Sequence, residues 1–317
     1  MIHVSKLVKY YGPRLAVDHL DLDVQQGQIV GFLGPNGAGK TTTLRILTGF
    51  MPPTSGTATV NGHDVQSDAD GARRSIGYLP ESNPLYPEMR VSEQLHYFGR
   101  LHGMRRADRT RRIAELTEVC GLQQIIHRTI GALSKGNRQR VGVAQAILHD
   151  PPVLIFDEPT EGLDPSQITE VRKLIVSLGE RKTILLSSHI LPEVEKTAQR
   201  VVIIAEGRIV AQGTVDELKK QVRSASRVLV EVKADAAAVR QAFAAIPQVA
   251  EVAVTSVDGW VQAAVTAKQA GADVRELLGQ TVIERRWPLR EMRPETASLE
   301  EFFVQITAGA AAQAPAA

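Results

Sequence analysis

A glycine-rich stretch near the N-terminus has the residue types and the spacing of a phosphate-binding loop. It fits the pattern G-x-x-x-x-G-K-[ST] and consists of Gly34, Pro35, Asn36, Gly37, Ala38, Gly39, Lys40, Thr41 and Thr42. Such glycines let successive backbone N–H groups turn towards one anion, and a helix N-terminus adds partial positive charge. Lys40 can reach the β- and γ-phosphates, and the Thr41 hydroxyl can ligate Mg²⁺. The stretch therefore predicts a nucleoside triphosphate site.

The elements on either side of the loop are those that a phosphate site requires. Residues 28–33 form a short apolar run typical of a buried strand, and residues 43–48 have helical spacing that stops at Gly49. A glycine-rich turn that merely caps a helix is the alternative interpretation. Strand, glycine loop and helix start, in this order, favour the nucleotide site.

Further polar residues follow other predicted strands and open another predicted helix. Asp157 and Glu158 come directly after the apolar run 153–156, which predicts a buried parallel strand that delivers carboxylates at its carboxyl end. His189 follows a second apolar run, and Ser134 opens a helix predicted to continue through residue 148. Each feature alone is ordinary, because Asp-Glu after a strand is often a helix cap and a lone His at a strand end is usually structural.

Two neighbouring aromatic residues, Tyr10 and Tyr11, precede the loop in a predicted turn over residues 9–13. Aromatic residues make up only 4% of the chain, so a pair just upstream of a nucleotide loop is noticeable. One of them could stack on a base. We expect strand packing for Tyr10 but not for Tyr11, because Tyr11 abuts the turn.

The remaining patterns as far as about residue 222 predict alternating strands and helices. Alternation, turn residues and helical spacing predict strands over residues 2–9, 18–24, 75–80 and 183–188, hairpins over 57–65 and 200–212, and helices over 92–101, 105–119 and 166–180. The first of these helices is expected to be capped at Ser92. The helix over 105–119 has arginines along one side. We interpret it as a solvated face, with a membrane-proximal or partner-facing surface as the alternative.

Composition shifts after about residue 222. Residues 226–307 have no nucleotide motif and alternate between predicted strands (227–233, 249–255 and 260–266) and predicted helices (235–246, 272–278 and 299–306). A small α+β domain is the simplest account. The Ala-rich residues 308–317 are expected to be a disordered tail.

Composition bounds the class of protein. The 317 residues are 43% hydrophobic and 23% charged, which is ordinary for a soluble globular chain of about two domains. Cys120 is the only cysteine, so no internal disulfide can form, which suits a reducing compartment. No apolar run approaches the roughly 18 residues that would span a bilayer, no export signal is evident, and a formal net charge of +2 gives no argument for a nucleic-acid partner. We expect a cytoplasmic protein that docks onto another molecule.

Taken together and in this order, the phosphate loop, residues 133–137, Asp157-Glu158, residues 161–164 and His189 resemble the ATP-binding cassette (ABC) ATPases over about residues 2–220. The resemblance implies an α/β fold: a P-loop ABC ATPase domain over 1–222, with a mixed sheet core and a helical subdomain at about 88–150. The small C-terminal α+β domain is additional to it. It also implies head-to-tail dimers that sandwich two ATP molecules, each phosphate loop facing the signature segment of the other subunit.

The resemblance assigns roles to single residues. Tyr11 is similar to the aromatic residue that stacks on adenine, and Asp157 to the Mg²⁺-associated acid. Glu158 resembles the general base that polarises the attacking water, and His189 resembles the switch histidine that contacts the γ-phosphate. Together with ATP and Mg²⁺, these residues would form a hydrolytic site.

Two positions depart from the family pattern. Ser134 and Gly136 resemble the signature segment that meets the γ-phosphate bound by the partner, but Lys135 and Asn137 replace its usual Gly and Gln. The anion site at the helix N-terminus should survive these replacements. Glu81 stands where the family typically has a Gln that contacts Mg²⁺ or water. A carboxylate could still reach Mg²⁺, yet it adds negative charge near three phosphates.

Glu81, the lysine in the signature segment and the C-terminal residues 299–303 are similar to those of ABC-2-type exporter ATPases, notably the gliding-motility-associated ones. This implies an ATPase subunit, as a homodimer or with a paired ABC subunit, peripheral at the inner face of the cell membrane and driving a separate permease. The alternative is a non-transport cassette ATPase of translation or DNA repair. Those proteins typically have two cassettes or a long coiled coil. A stand-alone P-loop kinase would need an acceptor site and has no use for residues 133–137.

Overall fold

The structure is a computed structural model and describes residues 1–218, 227–269 and 272–295, together with 300, 303, 304, 306 and 307. The chain divides into two compact units, one built from residues Met1–Thr214 and the other from Val215–Ile306. Residues 300, 303, 304, 306 and 307 are helical, but the rest of the helix expected over 299–306 lies outside the described residues. The tail expected over 308–317 lies wholly outside them.

The first unit alternates strands and helices along the chain. Its elements are β1 (Ile2–Tyr11), β2 (Arg14–Val24), β3 (Ile29–Leu33), α1 (Lys40–Leu47), β4 (Ser55–Val60), β5 (His63–Asp64), α2 (Ala69–Arg74), β6 (Ile76–Leu79), α3 (Val91–Leu101), α4 (Arg106–Val119), a 3₁₀ turn (Ile130–Ala132), α5 (Lys135–Ala146), β7 (Val153–Phe156), α6 (Pro165–Gly179), β8 (Thr183–Ser188), α7 (Leu191–Glu195), β9 (Arg200–Ala205) and β10 (Arg208–Thr214). Between β6 and β7, where the helical subdomain is predicted, the named elements are all helices, and one isolated antiparallel β-bridge joins Arg90 and Thr129.

A six-stranded sheet with the order β10-β9-β3-β8-β7-β6 organises this unit. Its strands from β9 to β6 are parallel, and β10 is an antiparallel edge strand. Every residue of β3, β7 and β8 is buried, as expected of apolar runs covered on both faces. Because β3, β6, β7 and β8 are parallel, the segments that follow them emerge at one edge of the sheet.

A second, antiparallel sheet with the order β2-β1-β4-β5 packs near the first. One apolar core joins the two sheets and α1, and it includes Val4, Leu20, Phe32, Leu44 and Ile155, each at most 1% exposed. Because α1 is buried against this core, the position of the helix that starts at the phosphate loop is fixed. The predicted turn at Asn61-Gly62 connects β4 and β5, and the one at Glu206-Gly207 connects β9 and β10.

The second unit contains β11 (Arg227–Val232), α8 (Ala236–Ala244), β12 (Val249–Val257), β13 (Trp260–Ala267), α9 (Arg275–Glu284) and β14 (Leu289–Glu295). Its antiparallel sheet has the order β12-β13-β11-β14. Alternate residues of the strands meet α8 and α9 in a separate core that includes Val230, Phe243, Val265 and Leu278. This is the α+β arrangement that the sequence predicts.

Several boundaries in the first unit differ from the predictions, and three of them lie at the β1–β2 turn, the phosphate loop and helix α3. Strand β1 continues through Tyr11, so the turn is confined to Gly12-Pro13. Helix α1 begins at Lys40 and not at residue 43. The Gly39 carbonyl accepts a hydrogen bond from the Thr43 N–H (2.9 Å), so the last residues of the phosphate loop already form the first helical turn. Helix α3 is capped at Arg90 and not at Ser92, since the Glu93 carboxylate accepts a hydrogen bond from the Arg90 N–H (2.9 Å).

Two elements of the second unit were wrong or missing in the prediction. The helix expected over residues 272–278 is found at Arg275–Glu284. The Asp273 carboxylate accepts a hydrogen bond from the Arg275 N–H (3.0 Å), and Leu278 and Val282, four residues apart, anchor the later turns. Strand β14 was not predicted, because its sequence lacks apolar alternation. It pairs only with β11, at a sheet edge where Pro294 is tolerated.

Candidate active site

A cavity of about 400 Å³ opens where the parallel strands end. Its walls come from the phosphate loop, the β1–β2 hairpin and the segments that follow β6, β7 and β8. It is lined by Tyr11, Arg14, Ala16, Asn36, Gly37, Gly39, Lys40, Thr41, Thr42, Glu81, Glu158, Glu161 and His189. Distant parts of the sequence therefore meet because their strands are parallel neighbours.

The phosphate loop has a conformation that requires glycine. Gly39 has φ +104°, and a Cβ there would lie 2.5 Å from the Ala16 carbonyl oxygen, so no other residue fits without a shift. Gly37 has φ +82°, another left-handed conformation. The buried Ala38 packs into the apolar core and anchors the loop there. This backbone aims the start of α1 at the cavity, as expected of an anion-binding loop.

The Lys40 side chain is 6% exposed and is held by oxygen atoms on all sides. Its ammonium donates hydrogen bonds to the carbonyls of Gly34 (2.8 Å) and Pro35 (3.2 Å). Its Nζ atom also lies 3.3 Å from Glu158 Oε1. The lysine expected to bind phosphate therefore pairs with the acid expected to act as the base.

Asp157 is fully buried at the end of β7. Its Oδ1 atom accepts hydrogen bonds from the hydroxyls of Ser187 (2.6 Å) and Thr41 (3.3 Å). Its Oδ2 atom is buried and has no hydrogen-bond partner among the described residues. Burial raises the pKa of the Asp157 carboxyl, against the opposing hydrogen bonds from Ser187 and Thr41. A nearby cation would reverse that shift, so the atom without a partner suits a metal-associated role.

Glu158 is held by its backbone and by both carboxylate oxygens. It adopts φ +48°, which is uncommon for a residue other than glycine, and its N–H donates to the Ser187 hydroxyl (2.9 Å). Its Oε2 atom lies 3.0 Å from His189 Nδ1. Ser187, which we did not identify from the sequence, therefore orients both acids. The available signal was a pair of serines that closes an otherwise apolar strand.

Glu81 brings further negative charge to the cavity. Burial, together with the carboxylates of Glu161, Asp157 and Glu158, raises the pKa of Glu81. Even so, no group of three or more His, Cys, Asp or Glu side chains in the described part of the chain is arranged to hold a metal ion.

The two tyrosines have different surroundings. Tyr11 lines the cavity, is 43% exposed, and donates its hydroxyl to Met51 Sδ (3.0 Å). Tyr10 lies in β1 opposite Leu15 and outside the cavity lining, and it is 46% exposed. The Lys9 ammonium lies 5.6 Å from the centre of the Tyr11 ring. Tyr11 is thus the aromatic surface available to a base.

The structure places Ser134 and Gly136 outside the lining of this cavity. The Ser134 hydroxyl caps α5 by accepting a hydrogen bond from the Asn137 N–H (3.3 Å). Gly136 is buried, and a Cβ there would lie 2.5 Å from the Gln167 side chain. The helix N-terminus that they form is intact. Within one chain it does not join the other predicted site residues.

Comparisons with known proteins agree with the geometry. Residues 17–161 match the family model described as ABC transporter. The chain is 42% identical over 225 residues to the bacitracin transport ATP-binding protein BcrA of Bacillus licheniformis, covering 70% of this chain and 72% of that protein. It is also 42% identical over 221 residues to the Nod factor export ATP-binding protein I of Cupriavidus metallidurans, covering 69% and 72%.

The fold is likewise similar to solved structures. One, described as an ATP-binding subunit of an ABC transporter, superposes with a TM-score of 0.64 at 32% sequence identity. The match covers 70% of this chain and 92% of that one. The likeness therefore extends over more than two thirds of this chain.

Proposed function

Since this chain belongs to the ABC transporter family as an ATP-binding subunit and an ATPase, we propose that it drives an ABC-2-type export complex whose permease is a separate chain. One observation carries the proposal at the site. The phosphate loop, Glu158 and His189 meet in one cavity at the carboxyl edge of a parallel sheet. One relative is named for bacitracin transport and another for Nod factor export, which supports an exporter.

The chemistry begins with an exchange of partners at Lys40. A triphosphate offers more negative charge than one carboxylate, so Lys40 moves its ion pair from Glu158 to the β- and γ-phosphates. Glu158 is then free to accept a proton from the attacking water, as a general base must. His189, already 3.0 Å from Glu158, is placed to contact the γ-phosphate. Tyr11 stacks on the adenine.

The residues present fit a Mg²⁺ ion. The Thr41 hydroxyl is a suitable oxygen ligand, and the buried Asp157 Oδ2 atom has no other partner among the described residues. Glu81 lines the same cavity and is a third candidate. The ion would neutralise charge on the phosphates. The absence of a complete set of protein ligands is consistent with an ion that phosphate oxygens help to hold.

Completion of the site would require a second subunit. Ser134 and Gly136 form an anion-binding helix start that lies outside the cavity lining of their own chain. A head-to-tail homodimer, or a pair with another ABC subunit, would bring this helix start to the γ-phosphate held by the partner. Each ATP would then be a ligand of the closed dimer.

A second cavity, of about 460 Å³, supports contact with a permease. It is lined largely by apolar and aromatic side chains, including Phe50, Tyr78 and Phe98, and by no carboxylate. Phe50 is 74% exposed, and the Arg45 guanidinium lies 5.7 Å from the centre of its ring. We propose that the permease contacts the chain at this groove. In the described part of the chain, no helix is long and apolar enough to cross a bilayer.

The proposal can be tested by co-expression with the multi-span membrane protein that is encoded nearest to this chain. We expect a stoichiometric detergent-stable complex whose ATP turnover is lost in Lys40→Ala. Phe50→Asp should release the subunit from the complex while its ATP affinity remains, because Phe50 lies in the groove and not in the nucleotide cavity. Val176→Asp, at a 41% exposed position on α6, is the matched control. A subunit that hydrolyses ATP and associates with ribosomes or DNA instead would contradict the proposal.

A further inference from the structure

We infer that Arg14 is a further nucleotide-binding residue, whose guanidinium pairs with the phosphate chain of ATP. The inference rests on the proposal that ATP occupies the cavity that Tyr11 and Lys40 line. It adds a charged contact from the β1–β2 hairpin, outside the phosphate loop.

The hairpin places Arg14 beside the aromatic residue expected to hold the base. Arg14 is the first residue of β2 and pairs with Tyr11, the last residue of β1, across the Gly12-Pro13 turn. Residues directly opposite each other in an antiparallel pair project on the same face, with Cβ atoms about 4.5–5.5 Å apart. Both side chains accordingly line the cavity. Because only two residues connect the strands, Arg14 stays close to Tyr11.

The guanidinium extends from the hairpin to the phosphate loop. A terminal nitrogen of Arg14 lies 3.7 Å from the position that a Cβ on Gly37 would occupy. Gly37 lines the cavity as part of the loop whose N–H groups would bind phosphate. Arg14 therefore spans the distance between the base end and the phosphate end of the cavity.

The positive charge of Arg14 has no acidic partner in the described part of the chain. Among the residues that the structure describes, no carboxylate lies within ion-pairing distance of Arg14, whereas Arg208, Arg112 and Arg275 each pair with an aspartate. A guanidinium has five N–H donors and matches the oxygens of a phosphate with two parallel hydrogen bonds. A phosphate chain in this cavity would supply the acceptors that the chain itself does not.

The test compares nucleotides that differ in phosphate content. Binding of Mg-ATP, ADP and adenosine is measured by calorimetry or competition for wild type, Arg14→Ala and Arg14→Lys, each checked by thermal melting. Arg14→Ala should weaken ATP and ADP binding roughly tenfold, as expected for a charge-assisted contact, and leave adenosine binding unchanged. Arg14→Lys should recover part of the loss, because it keeps the charge without the two-pronged geometry.

Two further measurements separate this contact from a general disturbance. The difference in ATP affinity between wild type and Arg14→Ala should shrink as the salt concentration is raised, because the guanidinium is exposed to solvent. In steady-state assays KM should rise more than kcat falls, since the contact exists before the transition state. Arg106→Ala, at an exposed position on α4, is the matched control and should change neither quantity.

Comparison of these variants tests the role of Arg14 separately from the location of the ATP site. If Lys40→Ala loses ATP binding but Arg14→Ala binds ATP like wild type, Arg14 has no role and the site remains. An equal loss for adenosine and ATP would also overturn the inference, because it would indicate a displaced hairpin. If Lys40→Ala binds ATP normally, the cavity itself is wrongly assigned.

Discussion

Replacing Glu158 with Gln should separate nucleotide binding from hydrolysis. Gln keeps the shape of the side chain but cannot take a proton from water. One Glu158 oxygen lies 3.3 Å from Lys40 Nζ and the other lies 3.0 Å from His189 Nδ1. The substitution therefore removes the expected base and also removes the carboxylate that competes with phosphate for Lys40.

The two effects have different signs and sizes. At 3.3 Å and an effective dielectric of about 20, the Lys40–Glu158 attraction is about 5 kcal/mol, an upper limit for what ATP must replace. ATP affinity in Glu158→Gln should consequently be at least as high as in wild type. Loss of a general base typically lowers the rate by about 10²- to 10⁴-fold, or about 3–5 kcal/mol of transition-state free energy.

Both quantities can be measured on one preparation, with calorimetry for Mg-ATP affinity and single-turnover hydrolysis for the chemical step. Glu161→Gln is the matched control, since Glu161 also lines the cavity but makes no ion pair with Lys40 or His189 in the described structure. We expect it to slow hydrolysis less than tenfold. Hydrolysis by Glu158→Gln within tenfold of wild type would refute the assignment of the base. Weaker ATP binding would refute the competition for Lys40.

Two more predictions concern the boundary of the nucleotide unit and the charge at Glu81. A fragment of residues 1–222 should fold and bind ATP like the full chain, because every residue lining the cavity precedes residue 190. A folded fragment without ATP affinity would show that the second unit helps to build the site. Without Mg²⁺, Glu81→Gln should bind ATP more tightly by about 1–3 kcal/mol, the effect of one charge at about 6 Å for dielectrics of about 80 to 20. Unchanged affinity in EDTA would place the Glu81 charge away from the phosphates.

The elements around the cavity were predictable because strong local patterns agree with their final environment. The apolar runs that became β3, β7 and β8 are buried on both faces, and each is followed at once by a chemically useful residue. Elements without a strong local pattern could not be predicted from the sequence. The strand β14 has no alternating pattern, because a polar edge strand needs little burial.

Details within the cavity were beyond the sequence because they depend on contacts between distant segments. Ser187 orients Asp157 and Glu158 from a neighbouring strand, and its role follows only from the pairing of β7 with β8. The left-handed backbone of Glu158 is a property of the folded turn. Arg14 could have been noticed as the residue opposite Tyr11 across a Gly-Pro turn.

The ATP-sandwiched dimer is tested most directly by the mass of Glu158→Gln, determined with and without ATP by light scattering during size exclusion. Because unhydrolysed ATP would be held between Lys40 of one subunit and Ser134 of the other, mass action predicts a shift from monomer to dimer on addition of ATP. Adding Ser134→Arg to the same chain should abolish the shift without removing ATP binding to the monomer. Glu158→Gln that binds ATP yet keeps the monomer mass at high protein concentration would contradict the ATP-sandwiched dimer.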